Sequence, residues 1–80
     1  MRIVINASPE TWASITYFDG MDNQIYPPRN INILDVVSYI KDISNEFDIH
    51  EIVVSGPQSY ISKLVEDLKN NFKNVNIKTI

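Results

Sequence analysis

The N-terminal part of the chain alternates apolar and polar positions as strands do. In RIVINA, residues 2–7, every second side chain is apolar, which predicts a first strand with one apolar side. A turn should follow at residues 8–10, because Pro9 fixes its own backbone and biases Ser8 away from a helical conformation. The segment TWASITYF, residues 11–18, is rich in β-branched and aromatic residues and predicts a second strand.

A chain reversal should follow this second strand. Asp19-Gly20 is a strong hairpin signal, because glycine accepts a positive φ angle without strain. Residues 21–28 would return as a third strand, although Asp22-Asn23 is a second turn signal and leaves the register open. Pro27-Pro28 cannot donate ladder hydrogen bonds, so the third strand either ends there or lies at a sheet edge.

The segment 30–47 carries the apolar period of an amphipathic helix. Asn32 is placed to cap its N-terminus with Asp35 at the third helical position, and Ile31 and Val36 occupy the two positions of a hydrophobic staple. The apolar stripe consists of Ile33, Val36, Val37, Ile40, Ile43 and Phe47. This helix should cover one face of a sheet.

The rest of the chain predicts a strand, a helix and a strand. HEIVVSG, residues 50–56, is almost unbroken in its apolar character, as is typical of a central strand buried on both faces. Residues 59–72 predict a second helix, and NVNIKTI, residues 74–80, predicts a closing strand. The stripe of the second helix consists of Ile61, Leu64, Val65, Leu68 and Phe72.

The predicted succession of elements is therefore βββαβαβ in one α/β domain, residues 1–80. Tight turns between the first three strands imply an antiparallel meander, and helices between the later strands imply parallel, right-handed crossovers. We expect a single mixed five-stranded sheet with two helices. The main alternative, a ferredoxin-like sandwich, needs a helix between its first two strands, and the segment ASPETW has no room for one.

This succession, from Arg2 to Ile80, resembles the ribonuclease H-like superfamily, whose core has the sheet order 3-2-1-4-5. The resemblance implies a nuclease site in which carboxylates on the first strand, near the first helix and on the fourth strand hold two metal ions. This chain has Asn6 on the first strand and Ser55 at the end of the fourth, and neither is an acid. Neither Asp35 nor Glu46 can be placed beside Asn6. We therefore assign no catalytic residue, no metal ligand and no cofactor.

The related actin and sugar-kinase branch uses a glycine-rich first hairpin, and this chain has no glycine before Phe18.

The junction between the fourth strand and the second helix leaves two interpretations open. Ser55, Gly56, Gln58 and Ser59 could hold an anion at the helix N-terminus, or they could form only a turn with an N-cap. The second is favoured, because a phosphate loop needs several glycines. The sole histidine, His50, should face solvent at the start of the strand.

Composition narrows the classes of function. The 80 residues include no cysteine, which excludes disulfides and thiolate metal sites. A net charge of −3 argues against a general nucleic-acid binder, because phosphate contacts need clustered lysine or arginine. The apolar run in residues 1–10 is too short for a signal peptide, and no stretch has the length of a membrane span. We therefore expect a cytoplasmic protein with no membrane partner.

Two surfaces are candidates for binding a protein. The closing strand would lie at a sheet edge with only Lys78 to deter pairing, and Ile77 and Ile80 beside it favour a homodimer or the addition of a partner's strand. The acidic stretch 19–51 could steer a basic partner as nucleic acid would, and its candidate contacts are Asp42, Glu46 and Asp48. Aromatic anchors are also present at Trp12, Tyr17, Tyr26, Tyr39 and Tyr60.

The leading hypothesis is a small non-catalytic protein-binding module. The abundance of asparagine, isoleucine and lysine suits an AT-rich genome, and we expect a phage or mobile-element product that regulates or inhibits host machinery. One alternative is a degenerate nucleotide- or metal-dependent enzyme using Asp19, Asp35 and Glu46. Another is a structural subunit of a larger assembly.

Overall fold

The computed structural model describes residues 1–8 and 12–80. The central element of the fold is one mixed β-sheet. Within these residues it has five strands, in the spatial order β3-β2-β1-β4-β5. Strand β2 runs antiparallel to both of its neighbours, whereas β4 runs parallel to β1 and β5. The strands are β1 (Arg2–Ala7), β2 (Trp12–Phe18), β3 (Gln24–Asn32), β4 (Glu51–Ser55) and β5 (Asn76–Thr79).

Two α-helices connect the later strands, α1 (Val36–Ser44) before β4 and α2 (Gln58–Asn71) before β5. The α/β class, the single mixed sheet of five strands and the two helices are thus confirmed for the described residues. The turn predicted at residues 8–10 falls largely on residues 9–11, which are outside the residues that the structure describes. None of the described helices has the length and apolar character that crossing a bilayer requires.

Helix α1 is shorter than predicted. Asn32 is an N-cap as expected, but it caps the 3₁₀ turn that precedes α1, where its side-chain oxygen accepts a hydrogen bond from the Leu34 amide at 3.0 Å. Residues 30–32, however, pair with β2 as the end of β3, and the first helical turn, Ile33–Asp35, is a 3₁₀ turn. The α-helix ends at Ser44, so Phe47 lies beyond it and is 40% exposed. Competition from the strand ladder explains the difference at the N-terminal end.

The apolar core lies on one face of the sheet. Both crossovers, from β3 to β4 and from β4 to β5, move in the same direction across the sheet, and right-handed connections then place both helices on the same side. The register of β1 with β4 aligns their buried positions beneath these helices. The largest fully buried side chains of this core are Ile3, Ile5, Ile15, Val36, Ile40, Ile52, Val54, Ile61 and Leu68.

The opposite face of the sheet carries mostly polar and charged side chains. Arg2 forms an ion pair with Asp22 at 3.2 Å and lies 4.8 Å from the centre of the Phe18 ring. Val53 is buried on this face but does not belong to the cluster under the helices. Strand β4 is therefore buried on both sides, as its apolar run predicts.

The chain reverses between β2 and β3 at the predicted position, but a different residue adopts the left-handed backbone conformation. The left-handed backbone is at Asp22, with φ of 61°, and not at Gly20. Asp19 organises the turn, because its carboxylate accepts hydrogen bonds from the Asn23 and Met21 amides, both at 2.9 Å. These bonds hold the pKa of Asp19 below its usual value. Strand β3 then continues through Pro27-Pro28 at the sheet edge, which is the second of the two predicted alternatives.

Gly56 allows helix α2 to approach the end of β1. Its φ of 143° is rarely adopted by residues with a side chain. A Cβ atom at this position would lie 2.8 Å from the Ala7 carbonyl oxygen and 3.1 Å from a methyl group of Ile61. Glycine is therefore needed here for both backbone conformation and space.

We predict that Gly56→Ala lowers the free energy of unfolding by at least about 2 kcal/mol, because strained backbone and steric overlap add. The measurement is urea denaturation followed by circular dichroism. Gly20→Ala is the matched control, since nothing lies within 4 Å of its added Cβ, and it should change stability by no more than about 0.5 kcal/mol. Equal denaturation midpoints for the two variants would contradict the role given to Gly56.

Candidate functional site

The two positions at which the resemblance would place metal-binding carboxylates hold neutral side chains in contact with each other. Asn6 on β1 is the register partner of Ser55 on β4, and the Ser55 hydroxyl donates to the Asn6 side-chain oxygen. The same hydroxyl lies 3.5 Å from the Ile5 carbonyl oxygen. Because neutral oxygens are weak ligands for divalent cations, this pair is poorly suited to the two-metal chemistry of the family it resembles.

The junction predicted as an anion site is built differently from the expected turn and N-cap. Pro57 occupies the N-cap position of α2 and makes no side-chain cap bond, so Ser59 lies inside the helix and does not cap it. The Pro57 carbonyl accepts hydrogen bonds from the Tyr60 and Ile61 amides at 2.9 and 3.2 Å. Gln58 and Ser59 are exposed, and the Ser55 hydroxyl is directed to Asn6. Anion binding at this junction stays a prediction.

The acidic candidates lie around the C-terminal end of α1. Asp42 is in the helix, Glu46 and Asp48 follow it, and all three are exposed without an ion pair to any described residue. Asp19 and Asp35 are not gathered with Glu46 into a metal-holding group. In residues 1–8 and 12–80, no cluster of three or more acidic, histidine or cysteine side chains is placed to hold a cation.

His50 is exposed at the start of β4, as predicted. Its Nδ1 atom lies 2.9 Å from the Met1 amino nitrogen. The His50 amide also donates to the Met1 carbonyl oxygen at 2.9 Å. These contacts connect the residue before β1 to the residue before β4, so the role that they give to His50 is structural.

Strand β5 forms one free edge of the sheet. The Asn76 amide donates to the His50 carbonyl at 3.0 Å and the Ile80 amide to the Val54 carbonyl at 3.1 Å. Since the hydrogen-bonding groups of a strand alternate in direction, the amide and carbonyl groups of Ile77 and Thr79 point away from the sheet. This free edge of β5 therefore presents backbone donors and acceptors that no described strand pairs with.

The side chains on β5 do little to protect this edge. Lys78, the one charge in the strand, forms an ion pair with Glu51 at 3.1 Å. Glu51 belongs to β4, so the ammonium group leans inward over the sheet and away from the free edge. Ile77 packs against the core, and Ile80 is 85% exposed just beyond the strand.

An aromatic cleft lies between the β2–β3 hairpin and the C-terminal half of α1. It has a volume of about 530 Å³. The Tyr17 ring lies edge-on to Tyr26, with centroids 6.0 Å apart, and 6.2 Å from the Tyr39 ring. The lining combines four aromatic rings with apolar residues and two charged side chains, and it consists of Met1, Tyr17, Tyr26, Pro27, Pro28, Arg29, Tyr39, Ile43, Glu46 and Phe47.

The polar end of the aromatic cleft holds a buried hydroxyl that no described residue satisfies. Tyr17 is only 4% exposed, and its hydroxyl makes no hydrogen bond of ordinary geometry to any described residue. Arg29 donates from Nη1 to the Tyr39 hydroxyl at 3.1 Å, with its guanidinium 5.9 Å from the centre of that ring. Burial, and next the nearby Tyr39 hydroxyl, raise the pKa of Tyr17 far above its usual value. Tyr17 is therefore a neutral phenol with a proton to donate.

The sequence contained the components of this cleft but not their arrangement. Tyr17, Tyr26 and Tyr39 stood out as aromatic anchors, and Tyr17 belongs to the core, whereas Trp12 and Tyr60 are exposed elsewhere. Tyr17 and Tyr26 are register partners only because β3 shifts register on either side of Tyr17. Two turn signals left that register open. The aromatic residues spaced along the hairpin were the available signal.

Comparison of the chain with models of known protein families, with curated proteins and with solved structures found no match.

We predict that Tyr17→Phe raises the free energy of unfolding by about 1 kcal/mol, because it removes a buried hydroxyl that lacks a partner. In a domain of this size the melting temperature should rise by roughly 4–8 °C, as calorimetry would record. Tyr26→Phe is the control, since Tyr26 is 50% exposed, whereas Tyr17 is 4% exposed. A loss of stability in Tyr17→Phe would mean that the hydroxyl has a stabilising partner.

Proposed function

We propose that the protein is a non-catalytic protein-binding module that adds a strand from another chain to the free edge of β5. The observation that carries the proposal is the outward direction of the Ile77 and Thr79 backbone groups, combined with the inward pairing of Lys78. Unpaired strand edges recruit extended segments through main-chain hydrogen bonds. The strand that β5 receives belongs to a second copy or to a different protein.

The contrast between the two sheet edges supports this proposal. The outer strand on the other side, β3, contains Pro27 and Pro28, which lack amide donors, and it shifts register beside Tyr17. Prolines and bulges are the usual protection of natural edges. Strand β5 has no proline and no bulge in its pairing with β4. Only one edge of this sheet is thus suited to strand addition.

The absence of catalysis is part of the proposal, and so is descent from a ribonuclease H-like ancestor. The strand order β3-β2-β1-β4-β5 is the order that this superfamily uses, which supports the resemblance. The neutral contact between Asn6 and Ser55 at the metal positions supports a role other than hydrolysis. A non-catalytic binding module is also what a cytoplasmic phage or mobile-element inhibitor of host machinery would be. The support for that origin is the abundance of asparagine, isoleucine and lysine in the sequence.

The acidic group at the end of α1 gives the module a means of attracting a basic partner. Asp42, Glu46 and Asp48 are exposed and unpaired within the described chain, so their field reaches solvent. Such charges raise association rates more than they lower dissociation rates. They would steer a partner that is then held at the free edge of β5.

We predict that Thr79→Pro abolishes strand addition without unfolding the domain. The Thr79 amide faces outward, so proline removes a donor at the free edge and leaves the ladder with β4 intact. Self-association is measured by sedimentation over a concentration series, and binding of another protein by capture on the immobilised chain. The dissociation constant should rise at least about tenfold, and Thr79→Val should leave it unchanged.

A monomeric wild type that captures no protein would overturn the β5 proposal. So would a complex that Thr79→Pro and Thr79→Val bind equally well. Assemblies much larger than a dimer in the sedimentation series would favour a structural subunit instead.

We predict that changing Asp42 and Asp48 to Asn and Glu46 to Gln slows association with the captured partner several-fold and flattens its dependence on salt, because exposed charges act mainly on encounter. Stopped-flow or biosensor kinetics at two ionic strengths provide the measurement. Glu66→Gln with Asp67→Asn on α2 is the control pair. An unchanged rate and an unchanged salt dependence would remove the steering role.

A further inference from the structure

We propose that the aromatic cleft is a binding site for an aromatic monocarboxylate, with the ring between the tyrosine and phenylalanine walls and the carboxylate at the Tyr17–Arg29 end. The cleft lies along β3, at the side of the sheet away from β5, so this inference is independent of strand addition.

The polar end of the cleft has donors in excess of acceptors. The Tyr17 hydroxyl makes no hydrogen bond of ordinary geometry to any described residue, and the Tyr39 hydroxyl accepts from Arg29. A guanidinium has five N–H groups, and one of those of Arg29 is accounted for by Tyr39. A group that offers acceptors only would satisfy the hydroxyls and the guanidinium together.

A carboxylate fits these donors better than a phosphate does. Its two oxygens match the fork of a guanidinium, and hydrogen bonds to a charged acceptor are the strong ones. Arg29 is the one cationic side chain in the described lining of the cleft, and Glu46 adds a negative charge to the same lining without pairing with Arg29. A single basic side chain beside an acidic one favours a ligand with one negative charge over a phosphate dianion.

The walls of the cleft select the body of the ligand. Tyr26 and Phe47 leave 50% and 40% of their surfaces exposed, which is apolar area that a bound ring would remove from water. The Tyr17 and Tyr26 rings are nearly perpendicular, at 86°, so a third ring can stack on one and meet the edge of the other. The volume of about 530 Å³ lies within the usual range of ligand pockets, roughly 300–1,000 Å³.

Titration of the ¹⁵N-labelled protein with phenylacetate and indole-3-acetate, followed by NMR, tests the site. For ligands of this size we expect a dissociation constant of about 0.1–1 mM and shifts confined to the cleft. Phenylacetamide, which keeps the ring and loses the charge, should bind at least about fivefold more weakly. Two tripeptides ending in phenylalanine, one with a free and one with an amidated C-terminus, distinguish a chain end from a small acid: tighter binding of the free peptide than of phenylacetate assigns the site to a chain end.

Three variants connect binding to the proposed donors. Tyr17→Phe and Arg29→Gln should each weaken phenylacetate binding at least about fivefold, and Tyr60→Phe, an exposed tyrosine outside the cleft, should not change it. A melting curve for Tyr17→Phe that is no lower than that of the wild type excludes misfolding as the cause. Failure of every probe to bind at about 10 mM would overturn the proposal. Equal affinities for the acid and the amide, or for Tyr17→Phe and the wild type, would overturn it as well.

Discussion

Burial on one side of a single sheet is the constraint from which the other features follow. Two right-handed crossovers that move in the same direction place α1 and α2 together over β1 and β4. The helices must lie there because their apolar stripes have no other surface on which to be buried. Two helices cannot cover five strands completely, so the face of β3 is left partly open, whereas Ile77 of β5 packs against the core. The aromatic cleft along β3 is the product of this incomplete cover.

The sequence predicted the elements whose patterns depend on local chemistry. Alternation in residues 2–7 marked β1, Asn32 marked the beginning of the first helix, and the stripe from Ile61 marked α2 to within one residue at each end. The prediction was wrong where tertiary contacts decide. Residues 30–32 joined β3 because β2 was available as a partner, and the left-handed turn residue is Asp22 where glycine at position 20 had been expected.

The candidate sites divide in the same way. The edge position of β5 and the exposure of Ile80 follow from the strand order and the apolar pattern, so both could be predicted from the sequence. The aromatic cleft depends on a register shift beside Tyr17 and on the angle at which α1 crosses the hairpin, and neither is encoded in a local pattern. An unpaired hydroxyl is likewise a property of the assembled structure, because only the neighbours of Tyr17 determine whether it has a partner.

The close approach of α2 to β1 also limits how this chain can diverge. The obstacle to a side chain at position 56 is chiefly the carbonyl oxygen of Ala7, a main-chain atom that every amino acid carries. No replacement at position 7 can move that oxygen away, so a compensating second-site change at that position is not available. Homologous chains that keep this junction should therefore retain glycine at position 56 while the exposed positions around it vary freely.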